Sequence, residues 1–424
     1  MNKITLKPGK EQSVNRFHPW IFSGAIRAGE GRFEDGDPVE VYSSSGRLLG
    51  TGHYHSGSIA VRLISTAGDK PGRRLWSERL ERALLLRKEC GLAGSDHTNA
   101  FRLVNAEGDG MPGMIIDFYN GTAVMQAHTA GMHRVREQVA AELCNVMGGS
   151  LRAVYYRGPK GLAKQAGDPG APLQSSAITD TSASPSAVKG GREAAGTVDG
   201  KKITGYLIGN RGDNTVTEYG NLFAVDWERG QKTGFFLDQR ENRRLLGYYS
   251  GGKTVLNMFG YTGGFSVYAL RGGASEAVTV DSSAGAVEMA EHNMRLNFEK
   301  DKRHSAVCAD VFDYFRGNNK KYDLVILDPP AFAKGLRAVR NALQAYKRVN
   351  TKALEKVGYG GKLFTFSCSQ VISKEQFRQA VYSAAINSGR EVRILHQLAQ
   401  PADHPVSIYH PEGEYLKGLV LQVF

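Results

Sequence analysis

From about residue 245 onward, short apolar runs alternate with segments whose apolar residues recur at helical spacing. Thr254-Val255-Leu256 predicts a strand that leads through a glycine-rich turn into a helix over 265–270. Ala277-Val278-Thr279-Val280 predicts a second strand ending at Asp281, with a helix over 284–297 behind it. Ala306-Val307-Cys308 runs into Asp310, and Leu324-Val325-Ile326-Leu327 runs into Asp328-Pro329-Pro330. A helix over 342–357, closed by Gly360-Gly361, precedes the strand Leu363-Phe364-Thr365-Phe366. Strands and helices alternating at this spacing predict an α/β fold with a doubly wound sheet.

The first 70 or so residues follow a different rhythm, with short β-rich runs separated by turns. Val39-Glu40-Val41-Tyr42, Ser45-Gly46, Leu48-Leu49-Gly50 and Ile59-Ala60-Val61-Arg62-Leu63 predict a small β-barrel or sandwich. Trp76, Leu80, Ala83, Leu84 and Arg87 lie at helical spacing and predict a helix over 76–90. Asn120-Gly121, between Ile115-Ile116-Asp117 and Ala123-Val124-Met125, predicts a hairpin. The chain therefore divides into a β domain (1–72), a central α+β domain (73–220) and the α/β domain (221–424). Within the central domain, Gly, Ala, Ser and Pro fill 23 of the 40 positions of 161–200, and no aromatic residue occurs there. Such a stretch buries too little apolar area to offset its chain entropy, which predicts a flexible insert. Strand-like Val154-Tyr155-Tyr156 and Lys202-Ile203-Thr204 flank it.

Composition narrows the class. With 424 residues, the chain is too long for one ordinary core. No apolar run reaches the roughly 18 residues of a membrane helix, and MNKITLKPGK lacks a signal-peptide core, so a cytoplasmic protein is expected. Cys90, Cys144, Cys308 and Cys368 are far apart with no CxxC pair, which argues against disulfide scaffolds and zinc ribbons. The 54 Lys and Arg outnumber the 42 Asp and Glu by 12. The 161–200 insert contributes −1 of this, so the rest of the chain carries +13. A basic folded surface favours a nucleic-acid partner, although charge alone fits a merely soluble basic enzyme equally well.

The cofactor is read from the strand ends, where ligands sit in such sheets. The first strand leads into Asn257-Met258-Phe259-Gly260-Tyr261-Thr262-Gly263-Gly264, which lacks the G-x-G-x-x-G pattern a pyrophosphate needs. Asp281 ends the second strand, where a carboxylate grips ribose hydroxyls; Asp310 ends the third, within reach of an adenine; Asp328 ends the fourth, at the centre of the cleft. Single aspartates after strands are often helix caps. Three in succession behind a glycine-rich turn instead suit a cationic nucleoside, S-adenosylmethionine, and predict a methyltransferase.

Two chemistries compete in the cleft. Asp328-Pro329-Pro330-Ala331-Phe332 resembles the segment that grips exocyclic amines in N-methyltransferases, but its aromatic residue stands one place late. Ser367-Cys368-Ser369 offers a thiol where a strand leaves the sheet. Cytosine C5 is a poor nucleophile until a thiolate adds to C6, which is covalent catalysis. A helix starting near Ser373 places its amino terminus where it helps ionise the thiol. Free cysteines are commonly buried small hydrophobes. That reading suits Cys308, Cys90 and Cys144, while the position of Cys368 favours catalysis, with Asp328 holding or protonating the pyrimidine edge. The segment 232–240, which contains Gln239, closes over cofactor or RNA or merely links strand to helix. His404 and His410 lie in a proline-rich loop, where ordinary hydrogen bonding is expected and no metal site.

The motifs together resemble the RlmI-like family of class I methyltransferases, which form 5-methylcytosine in bacterial large-subunit ribosomal RNA. Leu6-Lys7-Pro8-Gly9-Lys10 and His18-Pro19-Trp20-Ile21-Phe22-Ser23-Gly24 resemble the opening of its RNA-binding PUA domain, and Gly108-Asp109-Gly110-Met111-Pro112-Gly113 its middle domain. Residues 232–240, 259–264, 328–332, 366–369, 402–405 and 414–418 match its catalytic-domain motifs in order. The resemblance implies Cys368 as nucleophile, with Asp281, Asp310 and the turn after Asn257 (Phe259, Tyr261, Thr262, Gly263) holding S-adenosylmethionine. It also implies large-subunit rRNA as partner, with a homodimer left open. The 161–200 insert is longer than the family leads one to expect, and the Asp-Pro-Pro segment lacks a Pro-Cys, so product release must use one thiol. An rRNA purine N-methyltransferase using Asp328 and a non-catalytic ribosome-assembly factor are the rival expectations.

Overall fold

The computed structural model describes residues 2–27, 31–66, 72–158, 197–198, 201–202 and 204–424. The expected flexible insert lies outside the described residues except for Thr197–Val198. The chain forms two compact units. One comprises Met1–Glu78, Pro112–Ile116 and Thr122–Gly212, and the other Arg79–Met111, Asp117–Gly121 and Asp213–Phe424.

The first unit opens with β1 (Asn2–Thr5), β2 (Trp20–Phe22), β3 (Pro38–Tyr42), β4 (Leu48–Tyr54) and β5 (Ile59–Thr66). They make one sheet in the order β1-β3-β4-β5-β2, with β1 parallel to β3 and the other pairs antiparallel. Alternation decides its faces: Val39 and Val41 join Ile4, Leu6, Ile21 and Val61 in the core, while Glu40 points away.

The following strands are β6 (Ala100–Asn105), β7 (Met114–Tyr119), β8 (Thr122–Ala127), β9 (Ala153–Arg157), β10 (Thr197–Val198), β11 (Lys201–Lys202) and β12 (Gly205–Ile208). β9 pairs parallel to β8 and antiparallel to β12. The expected helix runs from Arg73 to Glu89. At the expected tight turn, Asn120 (φ 43°) and Gly121 (φ 85°) are both left-handed, as a type I′ turn requires.

The second unit adds the hairpin β13 (Thr215–Glu218) and β14 (Asn221–Ala224), then β15 (Thr254–Met258), β16 (Glu276–Asp281), β17 (His304–Cys308), β18 (Tyr322–Leu327), β19 (Val357–Ser367), β20 (Val392–Leu398) and β21 (Lys417–Val423). The last seven form one sheet in the order β17-β16-β15-β18-β19-β21-β20. β15 to β19 run parallel, and β21 is antiparallel to both its neighbours. The strand order reverses between β15 and β18, which opens a crevice at their carboxyl ends. Leu256, Met258, Val278, Val325, Leu327 and Leu363 bury one face of this sheet.

One expected boundary moves. Gly360-Gly361 does not close the preceding helix, which ends at Lys356 with β19 starting at Val357. The register jumps from Tyr322↔Val357 to Leu324↔Lys362, so the glycines lie in a bulge inside the strand, with Gly360 left-handed at φ 74°.

Candidate active site

The crevice at the strand-order reversal holds a cavity of about 240 Å³. Phe259, Tyr261, Thr262, Asp281, Asp328, Gln239 and Cys368, all named from the sequence, line it together. Its floor is the loop after β15, where Phe259 (φ 58°), Tyr261 (φ 44°) and Gly263 (φ 73°) are left-handed. Two of these carry side chains, a strained arrangement that persists only where surroundings enforce it. Gly260 is enforced by space, since a Cβ there would lie 2.3 Å from Thr279 Cγ2. Asp281 Oδ2 accepts the Tyr261 amide at 3.0 Å and its Oδ1 accepts the Ser283 amide at 2.9 Å. The strand-end carboxylate thus ties the loop to β16 while facing the cavity.

Asn257, Gly263 and Asp310 do not line the cavity. Asn257 is buried in β15, where its Nδ2 donates to Ser266 Oγ at 3.1 Å beneath the loop. Gly263 stands directly before the helix Gly264–Arg271 and packs against Ala290. Asp310 is exposed and caps the helix Val311–Gly317, accepting the Phe312 and Asp313 amides at 2.8 and 3.3 Å. It takes the ordinary N-cap role that an aspartate after a strand often has.

Cys368 follows the last residue of β19. Ser367 Oγ donates to the Tyr346 hydroxyl at 2.9 Å, and Ser369 Oγ lies 3.2 Å from the same hydroxyl. Both serines turn inward to one buried tyrosine, and the intervening Cys368 faces the cavity, where its Sγ donates to the Pro329 carbonyl at 3.9 Å. Burial, with the charge of Asp328 adding to it, pushes the thiol up to about 11. Burial likewise pushes Asp328 up to about 7, helped by the neighbouring Asp238 and opposed by Lys232 and a hydrogen bond from Gln239. The helix expected near Ser373 runs from Lys374 to Ser388 behind a complete capping box.

Several further participants come from the 232–240 and 414–418 segments, which the sequence singled out without giving these residues a role. Asp238 lines the cavity; its Oδ2 accepts Lys232 Nζ at 3.0 Å and the Tyr415 hydroxyl at 2.7 Å, while its buried Oδ1 has no hydrogen-bond partner among the described residues. Burial opposes its charge, but Lys232, His404 and Tyr415 outweigh it and hold the carboxyl well below the usual range. Lys417, buried, donates to the carbonyls of Ser369 at 2.7 Å and Ile372 at 2.8 Å, and burial pushes it down to about 8. The sequence signal for these groups was the polar end of 232–240 and the family-like segment 414–418, but nothing in it showed that the two segments meet.

Three carboxylates and several aromatic rings, with no phosphate cradle, suit a cationic nucleoside in this cavity. His404 is buried with Nδ1 3.1 Å from Asp403 Oδ1, and His410 is buried in the same loop. Among the described residues no group of three or more His, Cys, Asp and Glu is placed to hold a metal. No described helix is long and apolar enough to cross a membrane.

Residues 203–406 match the S-adenosylmethionine-dependent methyltransferase family, and residues 4–66 match the PUA-like domain. The chain is 36% identical over 427 residues to ribosomal RNA large subunit methyltransferase I of Alteromonas mediterranea, covering 99% of this chain and 98% of that one. The same enzyme of Aeromonas salmonicida is 36% identical over 430 residues, with 99% and 98% covered. The chain belongs to the ribosomal RNA large subunit methyltransferase I family. Like its family it is an S-adenosylmethionine-dependent methyltransferase with a PUA-like amino-terminal domain. Its fold is that of SMU.776, a proposed methyltransferase crystallised with SAH, at a TM-score of 0.80 and 23% identity over the whole of both chains. A proposed S-adenosylmethionine-dependent methyltransferase from Streptococcus mutans gives 0.79 and 22% over the same extent.

Proposed function

We propose that this enzyme methylates C5 of a cytosine in large-subunit ribosomal RNA, in the cytoplasm, with Cys368 as a covalent nucleophile and residues 221–424 as the catalytic domain. The names of its relatives support the RNA class. The observation that carries the chemistry is the pairing, in one cavity, of a thiol held at a strand end with a carboxyl of nearly neutral pKa.

When bound, S-adenosylmethionine supplies a methyl group on a sulfonium centre. Asp281 and Gln239, with the Phe259–Thr262 loop, would hold it, and the anionic Asp238 suits its positive charge. Asn257 and Gly263 act from beneath by shaping that loop, and Asp310 acts by capping the helix Val311–Gly317 that follows β17. At about 11 the thiol is protonated at neutral pH, so it needs a proton acceptor as the substrate arrives. Ionised Asp328 takes that proton and passes it to N3 of the cytosine as sulfur bonds to C6. The C6–sulfur bond makes C5 electron-rich enough to be alkylated. Loss of the C5 proton to water in the cavity then breaks the C6–sulfur bond and returns the thiolate, and the N3 proton passes back through Asp328 to the sulfur. One thiol suffices for this cycle.

The rival role for Asp328-Pro329-Pro330 needs an aromatic ring free to stack on a target base. Phe332 is instead packed on Tyr346, with ring centroids 4.7 Å apart. The experiment is methyl transfer from labelled S-adenosylmethionine to ribosomal RNA from a strain lacking the enzyme, followed by nucleoside analysis. Label in 5-methylcytosine that vanishes with Cys368→Ala is the expected result. Label in a methylated purine, indifferent to Cys368, would overturn the reading, and cofactor binding without transfer to any RNA would return the assembly-factor alternative.

A further inference from the structure

Beneath the loop after β15, a line of polar side chains crosses three strands. Asn257 on β15 and Thr279 on β16 pair in register. His304, on the edge strand β17, stands on the same face, two residues before the register partner of Thr279. Ser266, from the helix Gly264–Arg271, bridges the first two. Asn257 Nδ2 donates to Ser266 Oγ at 3.1 Å, Ser266 Oγ lies 2.7 Å from Thr279 Oγ1, and Thr279 Oγ1 lies 2.8 Å from His304 Nε2. Asn257, Ser266 and Thr279 are buried. Most side-chain hydrogen bonds in proteins go to backbone or water. All three of these join side chain to side chain.

The chemistry of the groups gives this chain one direction. Asn257 Nδ2 can only donate, so Ser266 accepts from it and gives its single hydroxyl proton to Thr279. Thr279, having accepted, donates its own proton to His304 Nε2, which must accept. Burial pushes His304 down to about 4, so the ring is uncharged at neutral pH and carries its proton on Nδ1. The hydroxyl and methyl of Thr279 share one Cβ, so holding the first fixes the second. That methyl stands under the loop: a Cβ at Gly260 would lie 2.3 Å from Thr279 Cγ2. The Gly260 amide also donates to the Val280 carbonyl at 3.0 Å, so the loop rests on the strand that carries Thr279.

We infer that His304 is a positioning residue for S-adenosylmethionine. It ends a one-way hydrogen-bond chain that holds Thr279 against Gly260 and so keeps the Phe259–Thr262 loop in its binding shape. The inference rests on that loop holding the cofactor. His304 itself does not line the cavity, so it acts only through the residues between.

The test is S-adenosylmethionine binding by calorimetry on the full chain, with steady-state methyl transfer to ribosomal RNA beside it. His304→Leu removes the acceptor and should weaken cofactor affinity about five- to tenfold, the usual effect of one lost hydrogen bond. KM for the cofactor should rise by the same factor, while kcat at saturating cofactor stays within about twofold. His304→Gln offers an oxygen acceptor and should bind within about twofold of wild type. His304→Lys, an ammonium that can only donate, should behave as leucine does. Ser266→Ala cuts the same chain at another link. The double variant His304→Leu/Ser266→Ala should therefore bind no more weakly than the weaker single variant, whereas independent sites would multiply their losses. Wild-type affinity in His304→Leu, equal affinity in the lysine and glutamine variants, or multiplied losses in the double variant overturns the inference. A fall in kcat that matches the loss of affinity would make His304 a general support of the sheet and overturn it too. Gly260→Ala tells these failures from failure of the loop assignment. Unchanged binding in Gly260→Ala would remove the loop from the cofactor site, and the inference with it. Weakened binding there beside wild-type affinity in His304→Leu would strike the inference alone.

Discussion

Arg240 Nη2 donates to Asp403 Oδ2 at 2.8 Å, joining two segments 163 residues apart with both side chains fully buried. The same carboxylate oxygen accepts the Arg102 amide at 3.0 Å, and the Asp403 carbonyl accepts Arg87 Nη2 at 2.8 Å. Burial works against the Asp403 charge, but Arg240 and His404 outweigh it and hold the carboxyl well below the usual range. Removing one partner leaves a buried charge uncompensated, so Asp403→Ala should cost about 3–5 kcal/mol in denaturant unfolding, and Arg240→Met/Asp403→Leu distinctly less. Because the folded-state pKa is depressed, this stability is present above the ordinary aspartate value of 3.8 and is lost as pH falls below it. Acid unfolding of wild type should therefore steepen below about pH 4, and Asp403→Ala should lack that component.

How much of this could be read from the chain follows from the range of each interaction. The α/β alternation and the Ser373 cap are local, so periodicity and capping rules found them. The lining residues Phe259, Tyr261, Thr262, Asp281, Asp328 and Cys368 were legible because strand ends in such a sheet converge on one crevice. Asp310 shows the limit: a strand-end aspartate serves ligand or helix cap, and only the position of the helix Val311–Gly317 tells which its side chain contacts. Asp238, Tyr415 and Lys417 lie in the 232–240 and 414–418 segments that the sequence singled out, but their roles were not legible because that chemistry exists only once residues 177 apart, such as Asp238 and Tyr415, are brought together. The glycines at 360 and 361 misled because a bulge and a helix stop use the same residue.

Asp328 should trade stability for chemistry. Its folded pKa is raised to about 7, so the folded state binds a proton more tightly than the unfolded chain. Its contribution is therefore most favourable at low pH and declines as pH rises from about 4 through about 7. The carboxyl sits on a cavity wall, half-buried, and water there screens part of the effect. Asp328→Asn should be more stable than wild type at pH 8, by about 1–3 kcal/mol, yet inactive. Removing the charge should also lower the Cys368 pKa, since Asp328 is among the groups raising it. Alkylation of Cys368 by iodoacetamide at pH 8 should then be several-fold faster in the variant, read by mass spectrometry of the 368 peptide. Equal rates would disconnect the two groups.

Lys417 should act on the thiol through position. Its ammonium bridges the carbonyls of Ser369 and Ile372, which pins the turn that carries Cys368 to β21. The charged or titratable groups felt by the ammonium are Cys368, Glu414 and Lys374. Lys417→Met fills the same space and removes both bonds, so the turn should loosen without leaving a cavity. Methyl transfer in single turnover should fall by about tenfold or more, as misplacement of a reacting group commonly costs. Affinity for S-adenosylmethionine by calorimetry should change little, and Lys417→Arg should recover part of the rate. A parallel loss of cofactor affinity would mean that the residue supports the whole crevice and not the thiol.

Asp281 serves two purposes, and two substitutions separate them. One oxygen accepts the Tyr261 amide and the other the Ser283 amide, so the carboxylate holds the strained loop in place before any ligand arrives. Its face toward the cavity is where ribose hydroxyls would donate. Asp281→Ala removes both functions and should weaken S-adenosylmethionine binding by about 10- to 100-fold, the usual consequence of losing hydrogen bonds to a charged acceptor. Asp281→Asn keeps one oxygen acceptor, which can still take the Tyr261 amide, but has neither the charge nor the second acceptor. If loop anchoring dominates, the asparagine variant should bind nearly as well as wild type. If the ribose contact dominates, it should resemble alanine, because two hydroxyl donors then compete for one oxygen. The adenosine-containing product and free methionine, titrated into both variants, complete the test: only the nucleoside should report the lost contact. An alanine variant that binds S-adenosylmethionine as tightly as wild type would remove Asp281 from the cofactor site altogether.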